Sequence, residues 1–187
     1  MTARKILLAT FGIVMFSLAL LSTADARPRP NGRIGGRSFE ANKTFGLGLE
    51  LGAPTGVTGK YFLAPSRALD FGLGGIYNYF DRYGLHVYAD YLWHPVSLVS
   101  NETFELPFYI GVGGRFWDFQ DRSDNANRDD AFAIGFRVPI GISFDFNNIP
   151  LDVFVQLVPV LDIYSGYADH SVYIDLDASF GVRYWFN

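Results

Sequence analysis

The chain has 187 residues, with 15 basic and 19 acidic side chains, a formal charge of −4 at pH 7 and no cysteine. Disulfides, thiolate metal sites and a lipid-modified N-terminal cysteine are thereby excluded, and the charge is too acidic for a nucleic-acid surface. Glycine (20), Phe (18) and Tyr (11) are abundant, as expected where small residues fill a narrow interior and rings sit at membrane interfaces.

Arg4 and Lys5, the apolar run Ile6–Leu21 and the small-residue stretch Ser22-Thr23-Ala24-Asp25-Ala26 predict a secretory signal peptide over 1–26, cleaved before Arg27. A retained membrane helix is the competing reading, and the small-residue cleavage site argues against it. Residues 27–43 read as a flexible linker: Pro28, Pro30, Gly32, Gly35 and Gly36 break structure, and Arg27, Arg29, Arg33 and Arg37 make it basic. A tail touching anionic lipid headgroups is the sharper alternative. Beyond it no apolar run is long enough for a membrane helix, so any crossing requires a closed barrel, whose backbone polar groups are all paired.

Residues 44–187 alternate apolar and polar positions over eight predicted strands. Thr44–Ala53 points Leu47, Leu49 and Leu51 one way and Gly46, Gly48 and Glu50 the other. Pro54-Thr55-Gly56 is the expected turn into Val57–Leu63, with Thr58, Lys60 and Phe62 inside. Ala68–Tyr79 carries Leu69, Phe71 and Leu73 against Asp70. Leu85–His94 sets Val87, Tyr91 and Trp93 against His86, Tyr88, Asp90 and His94. Phe104–Trp117 has Phe108, Ile110, Val112 and Phe116 outside and Gly111, Gly113 and Arg115 inside. Ala131–Phe146 has an apolar face running from Phe132 to Phe146 and an inner face holding Arg137 and Asp145. Leu151–Asp162 sets Val153 and Val155 against Asp152 and Gln156, and Pro139 and Pro159 are expected to mark bulges. Ser171–Phe186 alternates for its whole length, with Asp175, Asp177 and Arg183 on the polar face. The fold class is therefore all-β: an eight-stranded antiparallel up-and-down transmembrane β-barrel.

With both ends in the periplasm, the outer loops are 54–56, 80–84, 118–130 and 163–170, and the inner turns are 64–67, 95–103 and 147–150. Tyr77, Tyr79, Phe80, Tyr83, Trp117, Phe119, Tyr164 and Tyr167 would form an upper aromatic girdle. Trp93, Phe104, Phe144, Phe146, Tyr184 and Phe186 would form a lower one.

At the C-terminus, Ser179-Phe180-Gly181-Val182-Arg183-Tyr184-Trp185-Phe186 resembles the assembly signal of outer-membrane barrels, carried by Ser179, Gly181, Tyr184 and Phe186, with Asn187 added beyond the usual terminal aromatic. LGAPTGVTGKYFL, LHVYADYLWH, FYIGVGGRF, FRVPIGISFDF and LDVFVQLVPVLDI resemble a widespread bacterial family of small barrels of uncharacterised function, over roughly Phe45 to Phe186. The architecture is similar to that of OmpA- and OmpX-type barrels. The resemblance implies the barrel and no established activity.

An eight-stranded barrel is just wide enough for its own side chains. The inward charges are Glu50, Lys60, Asp70, Asp90, Arg115, Arg137, Asp145, Asp152, Asp175, Asp177 and Arg183, and each is costly in that space unless paired. A symmetric hairpin about 54–56 sets Glu50 opposite Lys60 as an ion pair. Asp145 falls opposite Asp152, with Arg183 as the expected neutralising group and a bound cation as the sharper alternative. His86 with Asp90 could orient a general base, but no serine is identifiable as its nucleophile, and a structural His86 is the reading adopted. His94 and His170 are the other candidates, and Asp169-His170, in an outer loop, is read as a solvated pair.

The function expected is therefore non-enzymatic, without cofactor or metal: a monomeric barrel for envelope integrity or loop-mediated contact, in the outer membrane of a Gram-negative type bacterium. Its partners would be the lipid bilayer, lipopolysaccharide, the barrel-assembly machinery and an extracellular partner met through loop 118–130. A narrow pore, a lipid-modifying enzyme and a soluble periplasmic barrel are the alternatives.

Overall fold

Alternation of side chains builds the molecule. The computed structural model describes residues 33–77, 83–120, 130–165 and 172–186. They form ten strands: β1 (Arg33–Arg37), β2 (Phe45–Gly52), β3 (Thr55–Ala64), β4 (Arg67–Tyr77), β5 (Tyr83–Ser100), β6 (Phe104–Gln120), β7 (Asp130–Arg137), β8 (Ile140–Phe146), β9 (Leu151–Ser165) and β10 (Val172–Phe186). The expected signal peptide, residues 27–32 of the linker, the heart of the 118–130 loop, Asp169-His170 and Asn187 lie outside the described residues.

Each ring strand pairs antiparallel with its sequence neighbour, and β10 pairs with β2, so the sheet closes on itself. β7 and β8 are two halves of one wall position between β6 and β9, which makes the ring eight-membered. Closure demands that the register stagger. The Cα partners of Arg183 lead round the ring through Gly48, Thr58, Gly72, Tyr88, Arg115, Gly135 and Asp162, and return to β10 at Tyr173, ten residues from the start. Among the described residues no helix is long and apolar enough to cross a membrane.

The narrow interior is filled by setting large side chains against glycines. A Cβ on Gly46 would stand 3.0 Å from the Trp185 ring, one on Gly181 2.6 Å from Phe154, and one on Gly141 2.5 Å from Tyr109. Glycine's backbone freedom matters at one place, Gly52, whose φ is 128°. Its N–H donates to Thr55 Oγ1 and its carbonyl accepts from the same hydroxyl, both at 3.1 Å.

That turn corrects the expected hairpin. Because the chain reverses from Gly52, Leu49 pairs with Val57 and Glu50 with Gly56. Glu50 therefore does not face Lys60, whose partners are Gly46 on β2 and Asp70 on β4. The prolines are a second correction. The registers on both sides of Pro139 and Pro159 run through without a shift, so neither marks a bulge. Each proline keeps its wall position by accepting a hydrogen bond: Gly111 N–H to Pro139 O at 2.8 Å and Val138 N–H to Pro159 O at 3.0 Å. The register shifts lie instead at the lower ends of β3 and β5, between Phe62 and Ala64 and between Trp93 and Ser100.

The linker differs most from expectation. Arg33, Ile34 and Arg37 of β1 pair with Ser100, Val99 and Ser97 of β5, which runs on through most of the expected 95–103 connection. From β1 the chain passes beneath the β3–β4 turn, where Ala41 N–H donates to Pro65 O at 2.7 Å. Phe39 turns up into the lower mouth of the ring and is 1% exposed. The linker composition hid this because the anchoring is done by two side chains, Phe39 and Lys43, and by backbone pairing to which Gly35 and Gly36 offer no side chain.

Candidate functional site: the charged lumen

Strand parity turns every second residue inward, and the stagger of the ring decides which of them meet. Three arginines act as braces across the lumen. On β10, Arg183 donates through Nη1 to Asp70 of β4 at 2.5 Å, and through Nε and Nη2 to Asp152 of β9 at 3.2 and 3.3 Å. Its guanidinium also lies 4.1 Å over the Phe154 ring. On β7, Arg137 makes an ion pair with Asp90 of β5 at 3.2 Å and stacks 4.0 Å over Tyr88. On β6, Arg115 donates to Asp162 of β9 through Nε at 2.9 Å and through Nη2, to Asp177 of β10 at 2.6 Å, and to Asp175 at 3.4 Å. A guanidinium presents its donors as a planar fork, so one side chain can hold carboxylates from two strands at once.

Between the braces run hydroxyls and an amide that lead to the Glu50 carboxyl. Tyr109 O–H donates to Gln156 Oε1 at 3.1 Å, and Gln156 Nε2 donates to Ser179 Oγ at 3.0 Å. Tyr88 O–H donates to Glu50 at 3.1 Å and lies 3.2 Å from Thr58 Oγ1. The lower mouth is aromatic. His94 lies among Phe39, Phe62 and Tyr109, with ring centroids at 5.3, 5.1 and 5.6 Å, and Trp185 stacks on Phe62 at 5.5 Å. Lys60 points its ammonium over the rings of Tyr109 (4.6 Å) and Phe62 (5.4 Å).

The eleven charges expected inside stand as follows. Glu50, Lys60, Asp70, Asp90, Arg115, Arg137, Asp145, Asp152, Asp177 and Arg183 are buried, and Asp175 is half-exposed near the upper end. Within these eleven, two like-charge register pairs occur, Asp70 with Asp90 and Asp145 with Asp152. Each is relieved by two different cations. Arg183 takes Asp70 and Asp152, Arg137 takes Asp90, and Lys43 pairs with Asp145 while donating to Phe146 O at 2.7 Å. Arg183 therefore neutralises only half of the Asp145–Asp152 pair. Lys43, read as linker, neutralises the other half, so the position open to a bound cation holds an ammonium group. Among the described residues no cluster of three or more His, Asp or Glu has the makings of a metal site.

Asp162 was within reach of the sequence. It continues the inward parity of Asp152 and Gln156 and is fully buried, with Arg115 as its partner. Glu105 is also buried, in register with Asp145. Trp117 corrects the upper girdle: its odd number places it inside with Arg115, whose guanidinium lies 5.7 Å from its ring, and it is fully buried. The side chains of the other members expected for that girdle lie outside the described residues. Of the lower girdle, Trp93, Phe144 and Tyr184 are exposed on the outer wall, Phe104 lies 5.9 Å from Phe144 and Phe186 5.0 Å from Tyr184. For the terminal signal, Ser179 and Gly181 face the lumen while Tyr184 and Phe186 lie on the outer face.

The lumen does not assemble a catalytic couple from His86 and Asp90. Arg137 reaches both, with Nη1 3.4 Å from His86 Nε2 and Nε 3.2 Å from Asp90 Oδ1.

A family model described as a protein of unknown function (DUF3996) matches residues 37–184. The chain belongs to this family. The match begins at the end of β1, so the Phe39 and Lys43 anchors fall within it together with the ring. Among solved structures, the N-terminal β-barrel domain of Pseudomonas aeruginosa OprF is similar, with a TM-score of 0.51 and 16% sequence identity, over 76% of this chain and 94% of that one. At that identity the likeness supports the barrel fold alone. No curated protein matches the chain.

Proposed function

We propose that this DUF3996 protein is a non-enzymatic, integral outer-membrane β-barrel with a packed charged lumen, serving envelope integrity or contact with a partner at the cell surface. The observation that carries the reading is the inverted distribution of side chains. Leu49, Val57, Leu69, Phe71, Val87, Val112, Phe116, Ile134, Phe136, Val155, Leu161 and Phe180 are all exposed on the outer wall, strand after strand, while the charges lie inside. An apolar belt of this extent is costly in water and favourable in hydrocarbon, where a ring of paired strands is one of two viable backbones. Trp93, Tyr184 and Phe144 at its lower edge suit a membrane–water interface.

The remaining expectations belong to the same proposal. The protein is a monomer in the outer membrane of a Gram-negative type bacterium, exported by the segment 1–26. Ser179, Gly181, Tyr184 and Phe186 are read by the barrel-assembly machinery, lipopolysaccharide surrounds the upper belt, and loop 118–130 meets any extracellular partner. The arginine braces and the aromatic lower mouth weigh against a narrow pore, and the inward charges weigh against a soluble barrel with an apolar interior. Fractionation combined with heat-modifiable migration on a detergent gel tests the reading. An outer-membrane signal whose mobility shifts on boiling supports it; release as a soluble periplasmic protein by osmotic shock overturns it.

A further inference from the structure

The wall of the barrel is uneven in height. At the tip of the β2–β3 hairpin the last pairings are Gly52 with Ser179 of β10 and Thr55 with Gly75 of β4. β10 continues upward beyond that tip, paired with β9 as far as Val172 opposite Ile163. The stretch 172–178 spans roughly 20 Å at about 3.3 Å per residue. Among the described residues no strand pairs with it on the side that β2 takes lower down.

Ladder geometry identifies the groups that border this gap. Ala53 N–H donates to Ala178 O at 3.1 Å, so even-numbered residues of β10 direct their peptide groups toward the β2 side. Leu176, Ile174 and Val172 continue that row above the hairpin. The Leu176 N–H is met by the Asp175 carboxylate at 2.8 Å, a side chain standing in for a missing strand. Exposure changes at the same level. Inward residues of β10 from Trp185 up to Asp177 are buried, whereas the Asp175 side chain is 42% exposed and Tyr173 is 56% exposed. On the outer face Ile174 reaches 85%.

A lipid-facing open edge is unstable unless its polar groups find partners. We propose that the gap between β10 and β4, above the β2–β3 turn, is a lateral binding site for an amphiphile with an aliphatic chain and a cationic amine at its polar end, entering from the bilayer. The proposal rests on the membrane-spanning reading given above. The chain lies along Val172, Ile174 and Leu176, continuous with the outer belt. The amine hydrogen-bonds to the edge carbonyls that no described strand pairs and reaches the carboxylates behind them. Charge sets the preference, because Arg115 is shared by three carboxylates, Asp162, Asp175 and Asp177. That cluster keeps a net negative charge, which attracts an amine and repels a fatty acid or phosphate end.

The full chain in phosphatidylcholine nanodiscs, with a trace of a diazirine-bearing hexadecylamine or the matching hexadecanoic acid, gives the test, with photolabelled residues mapped by mass spectrometry. The amine is expected to label 172–176 several-fold more than the acid does, and several-fold more than it labels Ile134–Phe136, an exposed stretch of ordinary wall. Asp175→Asn, with its heat-modifiable migration intact, is expected to bring amine labelling of 172–176 down to the acid's level. Equal labelling of 172–176 and 134–136 by the amine, or equal labelling of 172–176 by both probes, overturns the proposal. Cross-links joining two copies through 172–176 also overturn it, by giving the edge to self-association. Absence of label from 134–136 as well removes the bilayer reading, and the proposal with it.

Discussion

Two buried cations in one lumen are held by opposite means. Near the upper end, Arg115 is gripped by Asp162, Asp177 and Asp175, side chains of β9 and β10 reaching a residue of β6. Near the lower mouth, Lys60 packs its ammonium over Tyr109 and Phe62, and the carboxylate of its register partner Asp70 is taken by Arg183. The contrast follows from side-chain chemistry. A planar fork can tie two strands together, whereas a compact ammonium on a flexible stem fills space against ring faces. The arginines are therefore structural ties, and Lys60 is a packing element that happens to be charged.

Breaking a tie gives the largest expected effect. Arg183→Met leaves Asp70 and Asp152 without their shared cation, and a loss of about 3–5 kcal/mol is expected for a broken buried pair. The urea midpoint of the unboiled, fast-migrating species in detergent measures it, and a loss below about 1 kcal/mol would show that the brace is dispensable. Next comes Phe39→Ala, at about 3 kcal/mol, the low end for a buried Phe because a strap can relax more than a wall. The same midpoint reads it, and an unchanged value would mean that the lower mouth does not depend on the strap. Lys60→Met should stay within about 1.5 kcal/mol of the parent, since the replacement keeps volume and loses mainly cation–π attraction. A loss as large as that for Arg183→Met would erase the distinction between tie and packing element. Smallest is the coupling between Glu50 and Lys60. A double-mutant cycle with Glu50→Gln and Lys60→Met is expected to give less than about 0.5 kcal/mol, and a larger coupling would restore the direct pair suggested by hairpin symmetry.

The legible part of this molecule is what depends on parity. Outer and inner faces of β5, β6 and β10 follow directly from alternation, and parity alone places Trp117 and Asp162 inside, where the expected girdle and charge list did not. Of the partners of the charges, Arg183 with Asp152 on the neighbouring strand was legible, and those farther round the ring were not. Arg115 meets Asp162 and Asp177 across a ring whose stagger is set by closure, and no count across a single hairpin reaches that far. Glu50 and Lys60 show how sensitive such counting is: moving the reversal to Gly52 separates the pair while leaving both inside. Pro139 and Pro159 were misread for a related reason, because a missing N–H disturbs a ladder hydrogen bond without adding a residue. The strap at 33–43 was hidden by its composition, since glycine and arginine fill four of its first five positions while one phenylalanine, one lysine and its own backbone hold it.

Closure of the ring by β2 with β10 also fixes when the molecule can fold. Phe45 finds its partner in Phe186, so the first wall strand waits for the last. Until the C-terminal strand has emerged, every partial sheet keeps two raw edges, and a vectorial, strand-by-strand route to the finished barrel is closed. Maturation is then a single late event of high contact order, slow without assistance and vulnerable to aggregation while it is pending. A chain shortened by its final strand would not be a slightly weaker barrel but an open sheet, a substrate for proteolysis.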